Sequence, residues 1–88
     1  MGEVMTERTQ MVANAFETIG ARVRRLRKAS GLSLAELGHM AHVTDNAIVH
    51  IEHNRHFPRI DTAIQIARVF EVSLDYLCCV VHEDQSIK

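Results

Sequence analysis

Aromatic and loop-forming residues are both scarce in this sequence. Only 5% of the 88 residues are aromatic and none is Trp, so a core has to be built from aliphatic side chains, which the hydrophobic content of 47% can supply. Four Gly and one Pro leave little material for long loops. Short connections favour an all-α fold, and the length allows one domain with a modest core.

Membrane segments and disulfides are not expected either. No apolar run is long enough to cross a bilayer, and the polar start of the chain, with two acidic residues before position 11, does not resemble a signal peptide. We therefore expect a cytoplasmic protein with no membrane partner. The two cysteines, Cys78 and Cys79, are adjacent, and neighbouring cysteines rarely bridge each other. We expect one to be buried and the other exposed.

Patterns for catalysis and cofactors are missing as well. No Gly-rich phosphate loop is present, and no nucleophile stands near a base at a catalytic spacing, so we expect neither an enzyme nor a cofactor. His39/His42 and His50/His53 have the one-turn spacing that a metal site can use. Because no carboxylate or thiol joins them at ligand spacing, we expect no metal.

The net charge of −1 hides an uneven distribution of charge. No acid stands between Thr18 and Ala35, and a second basic group surrounds the only proline, Pro58. Local basic patches of this kind make phosphate contacts, although a solvated helix face is the alternative interpretation. The basic residues are Arg22, Arg24, Arg25, Arg27 and Lys28 in the first group, and Arg55, His56 and Arg59 in the second.

Apolar spacing and capping residues predict five helices. The first ends near Ala29, before Gly31, and the second follows a capping box formed by Ser33 and Glu36. Thr44 is expected to cap a third helix that ends near residues 53–54. Two further helices are expected. Asp61 is the predicted cap of the fourth helix, whose inward residues are Ile64, Ala67 and Phe70. Ser73 is the predicted cap of the fifth helix, whose inward residues are Leu74, Leu77 and Val80. The predicted organisation is an N-terminal extension of helix one (1–18), the domain (19–81) and a polar tail (82–88).

The second and third predicted helices have the pattern of a helix-turn-helix. Two helices that cross closely need a small residue at the crossing, and Gly38 supplies it. Apolar residues fall on the inward positions of both helices, and the remaining face of the third is polar. The inward residues are Leu37, Ala41, Val43, Ile48 and Ile51, and the outward ones are Asp45, Asn46, Val49, His50 and His53.

Several of these motifs resemble the Cro/phage-repressor (XRE-type) DNA-binding family in order and spacing. The resemblance covers roughly residues 19–77 and implies a five-helix, lambda-repressor-like DNA-binding domain. It further implies a homodimer whose third helices enter the major groove of double-stranded DNA at a pseudo-palindromic operator. The motifs are Arg22-Val23-Arg24-Arg25-Leu26-Arg27-Lys28, Gly31-Leu32-Ser33, Ala35-Glu36-Leu37, Ile48 to Glu52, Pro58 and Val72-Ser73-Leu74-Asp75-Tyr76-Leu77.

The resemblance assigns roles to particular residues. Arg27 and Glu52 match a structural ion pair. The base-reading positions are Asp45, Asn46, Val49 and His50. The phosphate-binding positions are Ser33, Thr44, Asn54 and Arg55, together with backbone N–H groups near Phe57.

Four residues depart from the family pattern. Leu34 stands where a phosphate-contacting Gln is common, His42 replaces the usual turn Gly, and Glu71 replaces a helix-ending Gly. Asp45 places a carboxylate in the groove, which repels phosphate unless it accepts a hydrogen bond from a cytosine amino group.

The function predicted from these features is a dimeric transcriptional repressor of a prophage or mobile element. An antitoxin, whose partner is a toxin, and a protein-interaction module with weak DNA binding are the alternatives. With no second domain expected, inactivation is assigned to a separate antirepressor. Protonation of His50 and His53 predicts pH-dependent DNA binding. The residues expected at the dimer interface are Leu74, Tyr76, Leu77, Val80 and Val81.

Overall fold

The computed structural model describes residues 17–79 and places five helices there, with no strand among these residues. The prediction of an all-α, five-helix domain is confirmed. The predicted N-terminal extension, apart from Glu17 and Thr18, lies outside the described residues, as do Val80, Val81 and the polar tail. The helices are α1 (Ile19–Ala29), α2 (Leu34–Ala41), α3 (Asp45–Glu52), α4 (Ile60–Phe70) and α5 (Leu74–Leu77).

Side-chain caps fix the start of four of these helices. Ser33 and Glu36 form the predicted capping box, and the hydroxyl oxygens of Thr44 and Ser73 accept backbone N–H bonds as predicted. Thr18 caps α1 in the same way, which the sequence analysis missed. The prediction that Asp61 caps α4 is wrong, since Arg59, two residues earlier, is at the cap position, α4 begins at Ile60, and there is no side-chain cap bond.

The core is aliphatic and draws on every helix, as the scarcity of aromatic residues requires. In α4 the buried residues are Ala63, Ile66 and Ala67, whereas the predicted inward residues Ile64 and Phe70 are only half-buried. The inward face of α4 is therefore rotated relative to the prediction. The buried core consists of Ile19, Val23, Leu37, Ala41, Ile48, Ile51, Ala63, Ile66, Ala67 and Leu77.

Two glycines allow the close approaches that position α3. A Cβ added to Gly38 would lie 2.8 Å from the carbonyl oxygen of Val43, which explains why a small residue is needed where α2 meets the turn. A Cβ on Gly20 would collide with the carbonyl oxygen of Ile51, so α1 also packs directly against the backbone of α3. Within residues 17–79, no helix is long and apolar enough to cross a membrane.

Candidate nucleic-acid interface

The turn between α2 and α3 is tight and depends on a left-handed residue. His42 ends α2 with φ 64°, and its backbone N–H bonds to carbonyls of the last turn. The backbone N–H of Val43 then donates to the carbonyl of Gly38 across 2.8 Å. Only a short turn is left before Thr44 caps α3, so α3 is held at a fixed angle with one face towards solvent.

The outward face of α3 carries the predicted base-reading residues. Asp45 and Asn46 are exposed, while Val49 and His50 are half-buried. Nδ2 of Asn46 lies 3.4 Å from Nε2 of His50. These four side chains therefore share one surface that continues along the helix, as the base-reading assignment requires.

His50 lies at the junction between this face and the loop that follows α3. Its Nδ1 is 3.4 Å from Nη1 of Arg55, and its ring meets that of His56 edge-to-face with centroids 5.3 Å apart. The arrangement brings a predicted base-reading residue next to a predicted phosphate-binding one.

The other predicted phosphate-binding residues differ in how accessible their polar groups are to a phosphate. Arg55 is exposed, and Phe57 is 85% exposed. The hydroxyl oxygens of Ser33 and Thr44 accept cap bonds, which leaves each hydroxyl hydrogen able to donate to a phosphate.

Asn54, also predicted to bind phosphate, makes two side-chain hydrogen bonds within the chain. Its Oδ1 accepts a hydrogen bond from the backbone N–H of Gly20, and its Nδ2 donates to the hydroxyl oxygen of Thr18, both across 3.0 Å. Asn54 has φ 58°, which Asn tolerates better than most residues. Its side chain is therefore engaged in joining the end of α3 to the start of α1.

Arg27 and Glu52 form the predicted ion pair with two hydrogen bonds. Nε of Arg27 lies 2.6 Å from Oε2 of Glu52, and Nη2 lies 3.1 Å from Oε1. The two side chains are only 12% and 3% exposed, and Nη1 of Arg27 also donates to the carbonyl of Leu32. Bonding to the Glu52 carboxylate raises the pKa of Arg27. The pair fastens α3 to α1 from inside the fold.

The basic run in α1 is not a single phosphate-binding patch. Arg22 is 1% exposed, donates to the Glu17 carboxylate and lies over the Tyr76 ring. Arg25 also donates to Glu17 and to the Tyr76 hydroxyl. Partial burial alone would raise the pKa of Glu17, but the bonds from the two arginines lower it. The pKa of Arg25 is raised, mainly by its hydrogen bond to Glu17 and to a lesser extent by its bond to Tyr76.

This cluster of Glu17, Arg22, Arg25 and Tyr76 was missed by the sequence analysis. It joins the residues before α1 to α5, which are far apart in the sequence. The only sequence signal for it is the acid Glu17 directly before a basic helix. Two of the five basic residues of this run, Arg24 and Lys28, have no ion pair within residues 17–79.

The predicted dimer surface on α5 needs a correction. Leu77 is fully buried in the core of its own chain, so it cannot contact a second copy. The Tyr76 ring is covered on one face by Arg22, and Leu74 is half-buried against the core. Cys78 is exposed and Cys79 half-buried; burial raises the pKa of both thiols, which keeps them protonated at neutral pH.

The histidine spacing does not assemble a metal site within the described part of the chain. No group of three or more His, Cys, Asp or Glu side chains is close enough to hold a metal ion among residues 17–79. His53, one of the paired histidines, instead lies with Nδ1 2.9 Å from the carbonyl oxygen of Val49.

Comparison with known families agrees with this geometry. A family model described as helix-turn-helix matches residues 23–77, which is more than half of the chain. The chain therefore belongs to the XRE-type helix-turn-helix family, a class of DNA-binding transcription regulators. No curated protein matches the chain closely enough to count as a relative.

Solved structures of a repressor and of a biofilm regulator are similar to the chain. The P22 c2 repressor in complex with a synthetic operator is 30% identical with a TM-score of 0.67, and the match covers 68% of this chain and 91% of that one. SinR, the master regulator for biofilm formation, in complex with DNA is 34% identical with a TM-score of 0.64 over 68% and 97%. The N-terminal DNA-binding domain of SinR from Bacillus subtilis is 35% identical with a TM-score of 0.63 over 67% and 87%.

Proposed function

We propose that this protein is a cytoplasmic transcriptional repressor that binds a pseudo-palindromic operator as a homodimer. The observation that carries the proposal is the exposed face of α3, where Asn46 and His50 present side-chain nitrogens and oxygens beside the basic Arg55. An α-helix with such a face fits the major groove, where side chains hydrogen-bond to base edges. Similarity to the P22 c2 repressor supports a prophage or mobile-element regulator.

Different residues are assigned to base reading and to backbone contact. Asp45, Asn46, Val49 and His50 read bases, with Asp45 accepting from a cytosine amino group and Val49 meeting a thymine methyl. Arg55 binds phosphate together with the hydroxyls of Ser33 and Thr44 and the backbone N–H groups near Phe57. Asn54 is assigned a positioning role, because its side chain is engaged with α1.

Asp45 restricts the operators that this face accepts. It is the only acidic residue among the four assigned base readers and lies in the first turn of α3. A carboxylate next to DNA is repelled by phosphate, so it contributes specificity at a C·G pair and weakens binding elsewhere. We therefore expect strong discrimination between operator and unrelated DNA with modest non-specific affinity.

A gel-shift series with fragments from upstream of the protein's own gene tests the proposal. His50→Ala is expected to lower affinity for the specific fragment about tenfold and to leave non-specific binding unchanged, because base contacts provide about 1–3 kcal/mol of discrimination. Arg24→Ala, at an exposed residue of α1 to which no DNA contact is assigned, serves as the control. Equal loss on all fragments would contradict the base-reading role of His50. An absence of any shift at low salt would instead favour a protein-interaction module or an antitoxin.

A further inference from the structure

The chain that follows α3 turns back against the last turn of that helix. The backbone N–H of Asn54 donates to the carbonyl of Ile51 across 3.0 Å, and the backbone N–H of Arg55 donates to the carbonyl of His50 across 2.9 Å. With Asn54 in the left-handed conformation, at φ 58°, these two bonds form a Schellman motif. Because both bonds are made by the backbone, they fix where residue 56 begins relative to His50.

His56 contacts His50 from this position. The two imidazole rings meet at an interplanar angle of 72° with their centroids 5.3 Å apart, which is the edge-to-face arrangement that aromatic rings favour. His56 itself is exposed, so its ring contributes little to the packing of the core. Its main contact of this kind is therefore with a residue assigned to base reading.

The His50 side chain has room to move and only weak polar neighbours. It is half-buried beside a shallow cavity of about 360 Å³, which Asn46, His56 and Phe57 also line. Nδ2 of Asn46 and Nη1 of Arg55 are each 3.4 Å from a ring nitrogen of His50, and both residues are exposed. Bonds of this length are weak. A second ring, held by the Schellman motif, is the firmer support.

Fixing a side chain before binding improves its reading of a base. A free side chain loses rotamer freedom when it bonds to a base edge, and this loss of entropy weakens binding. A side chain that is already held avoids much of the loss and meets the base at one angle, so it distinguishes a matching base better from a mismatched one. Phosphate contacts made elsewhere are unaffected.

We propose that His56 is a positioning residue, whose ring holds the His50 imidazole on the outward face of α3 and so increases base discrimination without touching a base. The inference rests on the proposed function for its DNA-dependent part. It assigns a role in specificity to a loop residue outside the recognition helix.

Two substitutions of His56 separate positioning from direct contact. His56→Ala removes the ring, whereas His56→Phe keeps a ring and removes both nitrogens that could bond to DNA. In gel shifts with a fragment from upstream of the protein's own gene and an unrelated fragment of equal length, we expect His56→Ala to lower affinity for the upstream fragment about threefold to tenfold and to spare the unrelated one. His56→Phe should stay within about twofold of the wild type on both fragments. Equal losses for His56→Ala and His56→Phe would show that His56 contacts DNA directly and would overturn the proposal.

A double-mutant cycle tests whether His56 acts through His50. In a His50→Ala background, His56→Ala should cause no further loss of affinity for the upstream fragment, because the ring that it positions is already gone. Losses that multiply would mean that the two residues act independently, and the proposal would be wrong. His39→Ala, at an exposed histidine of α2, is the matched control and should bind both fragments like the wild type.

Nuclear magnetic resonance of the free protein separates this inference from the proposed function. We expect a nuclear Overhauser effect between the ring protons of His50 and His56, and coupling constants that show a single χ1 rotamer for His50. In His56→Ala those couplings should become averaged, and in His56→Phe they should not. If the wild type shifted no fragment, the proposed function would fail while these couplings still decided the positioning role. A single His50 rotamer that persists in His56→Ala would overturn the inference even if the operator is bound.

Discussion

The side-chain oxygen of Asn54 accepts a hydrogen bond from the backbone N–H of Gly20 across 3.0 Å and so joins the end of α3 to the start of α1. The same amide donates to Thr18, the cap of α1. Together with the Arg27–Glu52 pair, this contact fixes α3 against α1 at its C-terminal end. The orientation of α3, on which the proposed function depends, is therefore set by these bonds to α1 as well as by the tight turn between α2 and α3.

Asn54→Gly tests the contribution of that side chain. Gly is the residue best suited to φ 58°, so backbone strain alone predicts a small gain in stability. We expect the opposite, a loss of about 1–2 kcal/mol in the free energy of unfolding, because the N–H of Gly20 loses its partner. Urea unfolding followed by circular dichroism measures it. A variant as stable as the wild type would show that the side chain contributes little.

His42→Gly is expected to have the contrary effect. His42 also has a left-handed backbone, with φ 64°, and is exposed. Relief of the left-handed strain should stabilise the protein by about 0.5–1 kcal/mol, which raises the Tm by a few degrees. His39→Gly, inside α2, is the control and should destabilise by about 0.3–0.5 kcal/mol, the difference in helix propensity between His and Gly. A lower Tm for His42→Gly would mean that the imidazole makes a compensating contact.

Glu52→Ala is expected to be the most destabilising of these substitutions. The nearly buried Arg27 would be left without its carboxylate, at a cost of about 3–5 kcal/mol. Arg27→Met/Glu52→Leu should recover most of that loss, because no charge is then left unpaired. Asp61→Asn breaks an exposed pair and should change stability by less than about 0.5 kcal/mol. If Glu52→Ala and Asp61→Asn lowered the free energy of unfolding by similar amounts, burial would not be what makes the Arg27–Glu52 pair important.

The cluster around Glu17 predicts that the stability of the fold depends on pH in the acidic range. The pKa of Glu17 is lowered in the folded protein, so the carboxylate stabilises the fold fully above its unfolded pKa of about 4.5, and this stabilisation is lost as the pH falls through the folded value. The stability gap between the wild type and Glu17→Gln should therefore shrink between about pH 5 and pH 3. Arg24→Gln, which breaks no ion pair, should follow the wild type in parallel. A gap that stays constant with pH would exclude the carboxylate as its cause.

Local features were predictable from the sequence, and tertiary ones were predictable only in part. The capping box of Ser33 and Glu36 and the caps Thr44 and Ser73 depend on neighbours within three residues, so spacing alone reveals them. The Arg27–Glu52 pair followed from family resemblance, since its partners are far apart in sequence. Asp61 resembles a cap in the sequence, because residue type does not reveal that the cap position is Arg59, two residues earlier.

The remaining differences arise where distant segments meet. Arg22 and Arg25 look like phosphate-binding residues in sequence, and only the folded chain brings Glu17 and Tyr76 to them. The sequence predicts Leu77 both as an inward residue and as part of a dimer interface, and only the folded chain shows that the core encloses it completely. Asn54 likewise finds Gly20 only once α1 and α3 have packed.

The salt dependence of operator binding tests the central claim, that the α3 face and its flanking loop bind DNA, most directly. Affinity for the specific fragment should fall steeply as salt rises, because phosphate contacts release counterions. Arg55→Ala should weaken binding on all sequences and reduce the slope of log affinity against log salt by about 1, while Asn46→Ala lowers specific affinity and leaves the slope unchanged. Affinity that does not vary with salt, or a slope unaffected by Arg55→Ala, would contradict the account.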